Sequence, residues 1–223
     1  VSAVARVEAS SAPSSSAVAA RLALGAAAAT LALLASLHVL SPELDPTWRM
    51  VSEYAYGRFG WVLSLMFVAW GLASWALALA LRPRVSTRGE RVGWAFLVLA
   101  GVGQAMAAVV DVQHPLHSLA ALIGIPSLPI AALLLTAPIA RERPALRWAA
   151  HATWVCVVLM AAAFALLITT FVQAGGDTSA EPGTVTTLPP GVIAVVGVAN
   201  RLLVVAYCAW VASVAWHVAP RSS

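Results

Sequence analysis

Six runs of about 20 or more predominantly apolar residues, at roughly 20–40, 59–81, 92–112, 117–139, 149–173 and 192–217, constrain this chain more than any other feature of its sequence. About 20 apolar residues at 1.5 Å rise are what an α-helix needs to cross about 30 Å of hydrocarbon. Overall, 61% of the residues are hydrophobic, only 10% are charged, and the mean hydropathy is +0.88. A water-soluble domain of 223 residues has to wrap its core in polar surface that this chain does not possess. Lipid removes that requirement but obliges each span to satisfy its own backbone, which a helix does. The expectation is an all-α fold, a polytopic integral membrane protein with a bundle of six transmembrane helices over residues 18–218. The small, polar segment 1–17 reads as a disordered cytoplasmic tail. The first apolar run exceeds a signal-peptide core and more spans follow it, so it reads as a retained helix.

All thirteen positive charges are arginine, and they are distributed unevenly. Arg6, Arg21, Arg82, Arg84, Arg88, Arg91, Arg141, Arg143, Arg147 and Arg221 fall on one side of the six-span arrangement, against Arg49 and Arg58 on the other. Short cytoplasmic loops keep positive charge, so both termini are expected in the cytoplasm of a cell-membrane protein. With no lysine anywhere, the basic balance points to a GC-rich genome more than to a nucleic-acid partner, and none is expected. Cys156 and Cys208 lie inside apolar runs and imply no disulfide. The chain has no glycine-rich phosphate loop, G-x-S-x-G, H-E-x-x-H or internal repeat, and no cofactor is expected.

Polar residues inside the spans collect toward one side. Gln104 and Asp111 lie two turns apart on one face of the third span. The sixth carries Asn200 and Arg201 about 13 Å inside its outer end, if the helix starts at 192. Thr169, Thr170 and Gln173 close the fifth span and His38 closes the first. That pattern suits a cavity opening to the extracellular side. Its expected lining is Arg201, Asn200, Asp111, Gln104, Glu53, Tyr54 and His117.

The runs Asp45-Pro46, Ser52-Glu53-Tyr54 and Gly57-Arg58-Phe59-Gly60-Trp61, the hinge from Asp111 to His117, and Asn200-Arg201-Leu202-Leu203 together resemble the prokaryotic six-helix membrane family known as domain of unknown function 998. The resemblance runs from the first span to the last. It departs at Asn200, where the family pattern suggests glutamine. It implies six spans and shared polar positions, and it implies no reaction.

Each polar group admits a plain reading beside a functional one. Asp111, His114 and His117 are spaced as D-x-x-H-x-x-H; they are either metal ligands or a solvated turn, because Pro115 interrupts the helix that would align them. Arg201 should face an acid or a wet cavity, since a charge in hydrocarbon costs at least about 2.5–3.5 kcal/mol. Asp111 and Glu53 are the expected partners, and the result is either a structural ion pair or a fork for an anionic headgroup. Segment 41–58 is either a lid over the cavity or a surface anchor for the first two helices. Pro126 and Pro129 deprive Leu122 and Ile125 carbonyls of their helical bonds, which must then be met by neighbours. Gly101, Gly103, Ala105 and Ala107 permit close helix approach. Loop 174–190 reads as a flexible connector. The leading functional expectation is binding or transport of a membrane lipid or other amphipathic small molecule. The alternatives are an enzyme using Asp111 or Glu53 as general acid or base, and a structural partner subunit without a ligand.

Overall fold

The computed structural model describes residues 14–141, 143–178 and 184–219. Six helices, each long and apolar enough to cross a membrane, form the chain: α1 (Ser15–Leu40), α2 (Gly60–Leu81), α3 (Arg88–Val109), α4 (Pro115–Ile139), α5 (Ala145–Gln173) and α6 (Val196–Val218). A short 3₁₀ segment, Val51–Tyr56, lies between α1 and α2. No strand occurs among the described residues. The protein is an all-α, multi-pass membrane protein.

Several helix starts differ from the expectation, and capping explains them. Ser14 accepts the Ala17 amide, so α1 begins at Ser15 and Ser15, Ser16 and Ala17 are helical, not part of a tail. Residues 1–13 of the expected tail, including Arg6, lie outside the described residues, as do Glu181 and Arg221. Thr87 and Glu90 form a reciprocal capping box that starts α3 at Arg88. The sixth helix starts at Val196 rather than 192. Its first amides, Gly197 N at 2.9 Å and Val198 N at 3.3 Å, donate to the Thr47 carbonyl of the α1–α2 loop.

Each helix packs on its neighbours in sequence, and α6 closes the ring against α1 while also reaching α2 across the middle. Helix α5 is the most peripheral, with most of its apolar side chains facing outward. Small residues set the closest approaches. A Cβ on Gly103 would lie 2.5 Å from Gly124 N, and one on Gly101 would meet the Trp75 indole at 2.3 Å. Indole donors tie helices to one another: Trp75 to Val98 O, Trp94 to Ala78 O, and Trp210 to Thr136 Oγ1.

Proline chemistry appears where the sequence places it. The Ile125 carbonyl, which Pro129 deprives of its helical partner, accepts the Tyr207 hydroxyl of α6, and Ser127 Oγ donates to Ile123 O at 2.6 Å. Helix α4 remains continuous from Pro115 to Ile139.

Gly103→Leu should therefore lower the melting temperature in detergent markedly, because the added carbons meet backbone that cannot rotate away, and overpacking typically costs about 1–3 kcal/mol. Gly25→Ala, with nothing within 4 Å of the added carbon, should be tolerated in the same assay.

Candidate functional site

The arginine-poor end of the bundle is organised by the α1–α2 loop. Asp45 Oδ1 accepts from Thr47 N and Oγ1 at 2.9 and 2.8 Å, which turns the chain so that Thr47 O meets the start of α6. The fit is close: a Cβ on Gly197 would lie 2.4 Å from Pro46 O and 2.6 Å from Arg49 O. The Thr47 amide, then its hydroxyl, and to a smaller extent the charge of Arg201 hold the Asp45 carboxyl below the usual carboxylate range. A carboxylate beside the N-terminus of α6 also complements the helix dipole.

Arg201 lies five residues into α6, roughly 7 Å from its start, so it sits nearer the helix end than the sequence suggests. It does not pair with Asp111 or Glu53. Its Nε donates to His38 Nε2 at 2.7 Å, Nη1 to Arg49 O at 2.7 Å and Gly197 O at 3.0 Å, and Nη2 to the Tyr54 hydroxyl at 3.0 Å. The Tyr54 ring lies 5.5 Å from the guanidinium carbon. Among the described residues it has no carboxylate partner. Because an arginine N–H can only donate, His38 Nε2 must accept, and its Nδ1 carries the proton that it donates to Leu34 O at 2.7 Å. Neighbouring Asn200 accepts the Val51 amide at 2.8 Å through Oδ1 and places Nδ2 3.3 Å from Met160 Sδ. Asn200 and Arg201 together staple the loop to α6.

Glu53 is spent on a different arginine. Arg49 Nη1 donates to Glu53 Oε2 at 2.8 Å, Nη2 donates to Val185 O, and the guanidinium stacks 4.0 Å from the centroid of Trp48. Arg49 is only 6% exposed. Loop 174–190, read from sequence as a plain connector, is thus tied to the first loop through Val185. Thr170 Oγ1 accepts the Ile193 amide at 3.1 Å and ties the same connector to α5.

Asp111 and His114 are exposed and used locally. Asp111 Oδ1 accepts from Gln113 N at 2.8 Å, and His114 Nδ1 accepts from Leu116 N at 3.2 Å as the cap of α4. His117 turns the other way, holding Val110 O with Nδ1 at 3.2 Å. Among the described residues, no three His, Cys, Asp or Glu side chains converge to hold a metal ion. In this structure the D-x-x-H-x-x-H segment forms a turn closed by local hydrogen bonds.

Beneath the 3₁₀ segment lies a cavity of about 320 Å³. Of the expected lining, Glu53, Gln104, His117 and Asn200 reach it; Arg201, Tyr54 and Asp111 do not. Gln104 serves mainly to join α2 and α3. With its amide nitrogen toward Ser74 Oγ (2.8 Å) and Trp70 O (3.2 Å), its oxygen accepts the Trp70 indole at 3.2 Å. The deeper wall is aromatic: Phe67 stacks with Trp70 at 6.2 Å, and Trp70 meets Tyr207 edge-on at 6.0 Å. The polar side chains among the lining residues are Ser52, Glu53, Tyr56, Gln104, His117, Ser118, Asn200 and Tyr207; Glu53 is bound to Arg49, and Tyr207 donates to Ile125 O. Sequence reasoning placed His38 among the polar residues of this end but not as the partner of Arg201, and it missed the roles of Arg49 and Tyr207. A charged residue in a loop and a tyrosine in an apolar run carry no local pattern that marks them.

A family model described as protein of unknown function (DUF998) matches residues 23–217. No curated protein and no solved structure matches the chain.

Arg201→Leu should strand several buried polar groups at about 1–3 kcal/mol each and speed hydrogen exchange at the Val51 and Glu53 amides. Arg201→Lys should recover only part of that loss, since an ammonium lacks the planar fork. Asp111→Asn, which keeps the turn bond and has no Arg201 contact to lose, should stay within about 0.5 kcal/mol of wild type in detergent melts. The lowered Asp45 pKa contributes stability that is present above its unfolded value and fades as pH falls through the folded value. Asp45→Asn should accordingly flatten the acid side of the stability profile.

Proposed function

Because the chain belongs to the DUF998 family, which is defined by sequence and not by an activity, function has to be read from the site, and we propose that the protein binds or transports a lipid or other amphipathic small molecule in the cavity under the 3₁₀ segment. The observation that carries this reading is the division of that cavity into a polar rim and an aromatic and aliphatic interior. Its volume falls at the lower end of the roughly 300–1,000 Å³ typical of ligand pockets, so it suits a small amphiphile or one chain of a larger one. The polar end belongs at His117, Asn200, Ser118 and Glu53, with the apolar body against Phe67, Trp70, Ile125 and Leu203. Arg201 takes no direct part, because His38, Tyr54 and two backbone carbonyls already engage its Nε, Nη1 and Nη2. The rim presents the His117 imidazole, the Asn200 amide, the Ser52 and Ser118 hydroxyls, which both donate and accept, and the Glu53 carboxylate, with no arginine or lysine among the described lining residues. A head that donates hydrogen bonds, such as a hydroxyl or amine, therefore fits better than an anionic one.

The arginine imbalance supports an orientation in which the cavity end faces the extracellular side. Impermeant thiol reagents on intact cells should then label a cysteine placed at Gln113 and spare one placed at Ser86; the reverse pattern rejects the orientation.

Mass spectrometry of amphiphiles that copurify with the protein tests the binding reading. Ala121→Phe fills the cavity from α4 and His117→Ala removes a rim acceptor. Both should fold, as judged by melting, and lose most of the retained molecule. Wild type and Ala121→Phe retaining the same molecules in equal amounts would discard the cavity as the site.

A further inference from the structure

The opposite, arginine-rich end carries a second hollow, of about 530 Å³, between the ends of α2, α3, α4 and α6. Its walls include Leu81, Leu135 and Ile139, and its rim includes Arg84, Glu90 and His217. The Arg84 guanidinium is exposed, and its hydrogen bond among the described residues is a long one, 3.5 Å from Nη2 to Val218 O at the end of α6. Its remaining donors have no hydrogen-bond partner among the described residues. Arg82 lies in the same short 3₁₀ turn, Arg88 and Arg91 in the first turn of α3, and Arg141 and Arg143 between α4 and α5. Glu90 has its Oε2 committed to the helix cap, accepting from Ser86 N, Ser86 Oγ and Thr87 N at 2.7, 3.0 and 3.0 Å.

Apolar walls beneath an exposed arginine, beside a carboxylate turned into its own helix cap and with further arginines nearby, have a definite chemical complement at the end of a membrane bundle. We propose that this hollow binds a phosphate ester, specifically the headgroup of an anionic membrane lipid, with the phosphate on Arg84 and the upper part of an acyl chain against Leu81, Leu135 and Ile139. Guanidinium and phosphate match as a planar fork to a tetrahedral oxyanion, and the surrounding arginines raise the local potential for a net negative head. A free phosphate gains only the exposed arginine, whereas a lipid also covers the apolar walls. That difference assigns the site to a lipid.

The test uses the full chain, delipidated in neutral detergent and titrated in native mass spectrometry with phosphatidylglycerol and with phosphatidylcholine of the same acyl chains. Inorganic phosphate serves as a competitor. The expected result is a preference for phosphatidylglycerol of about fivefold or more, the scale of one arginine near an anionic head. Arg84→Gln should abolish it, and Arg58→Gln at the far end should leave it intact. Equal binding of the two lipids by wild type, or a preference that survives in Arg84→Gln, overturns the proposal. Displacement of phosphatidylglycerol by millimolar inorganic phosphate overturns the lipid assignment and makes a free oxyanion the ligand. Arg84 is exposed, so its removal is not expected to perturb folding, and melting of the variant checks this directly.

Discussion

A half-buried guanidinium with no carboxylate partner among the described residues has to spend its N–H groups on neutral acceptors, and the arginine-poor end of this protein is arranged around that demand by Arg201. An ion pair would have neutralised the charge with one contact. Here the acceptors come from four places: the last turn of α1, the backbone at Arg49, the Tyr54 side chain and the helix's own Gly197 carbonyl. Each holds a separate piece of chain at a fixed distance from α6. The loop between α1 and α2 consequently has a defined path, and that path forms part of the cavity wall. Glu53, left free of Arg201, is available to satisfy Arg49, which in turn fastens the second loop at Val185. Two arginines thus replace the secondary structure that a segment of this length would otherwise need.

The remainder of the bundle supplies rigidity through close backbone contact. Lipid offers little hydrophobic force to press helices together, so packing and interhelical hydrogen bonds carry the association. The Gly103–Gly124 approach and the indole-to-backbone bonds of Trp75 and Trp94 hold α2, α3 and α4 as one slab. Helix α6 is fixed to that slab by Trp210 and Tyr207. The cavity lies where these elements diverge beneath the 3₁₀ segment.

The six helices were legible because length and apolarity alone decide them. Their starts were less so: nothing in residues 192–195 reveals that a carbonyl 150 residues earlier caps the helix at Val196. The same blindness explains Arg201. Reasoning from sequence looks for an acid to match a buried cation, and backbone carbonyls and a neutral imidazole are invisible to it. The freed carbonyl of Ile125 was readable from Pro129, since that follows from covalent geometry, yet its partner Tyr207 was not. For Asp111 the sequence supplied a suggestive spacing, and the structure supplied a local turn, because a short polar side chain is satisfied most readily by the amide two residues on. Glu53, His117, Asn200 and Gln104 line the cavity because the 3₁₀ segment and the ends of α3, α4 and α6 meet there.

The loop that shapes the cavity is made early and completed late. Its residues leave the ribosome directly after the first helix, while the groups that fix them, Gly197, Asn200 and Arg201, are about 150 positions downstream. Until the final helix is in place, the Val51 amide lacks Asn200, and the Arg49 carbonyl and His38 lack Arg201. The cavity is therefore assembled at the end of biogenesis, when α6 closes the ring, and a chain arrested after α5 would hold five inserted helices with an unfinished binding site.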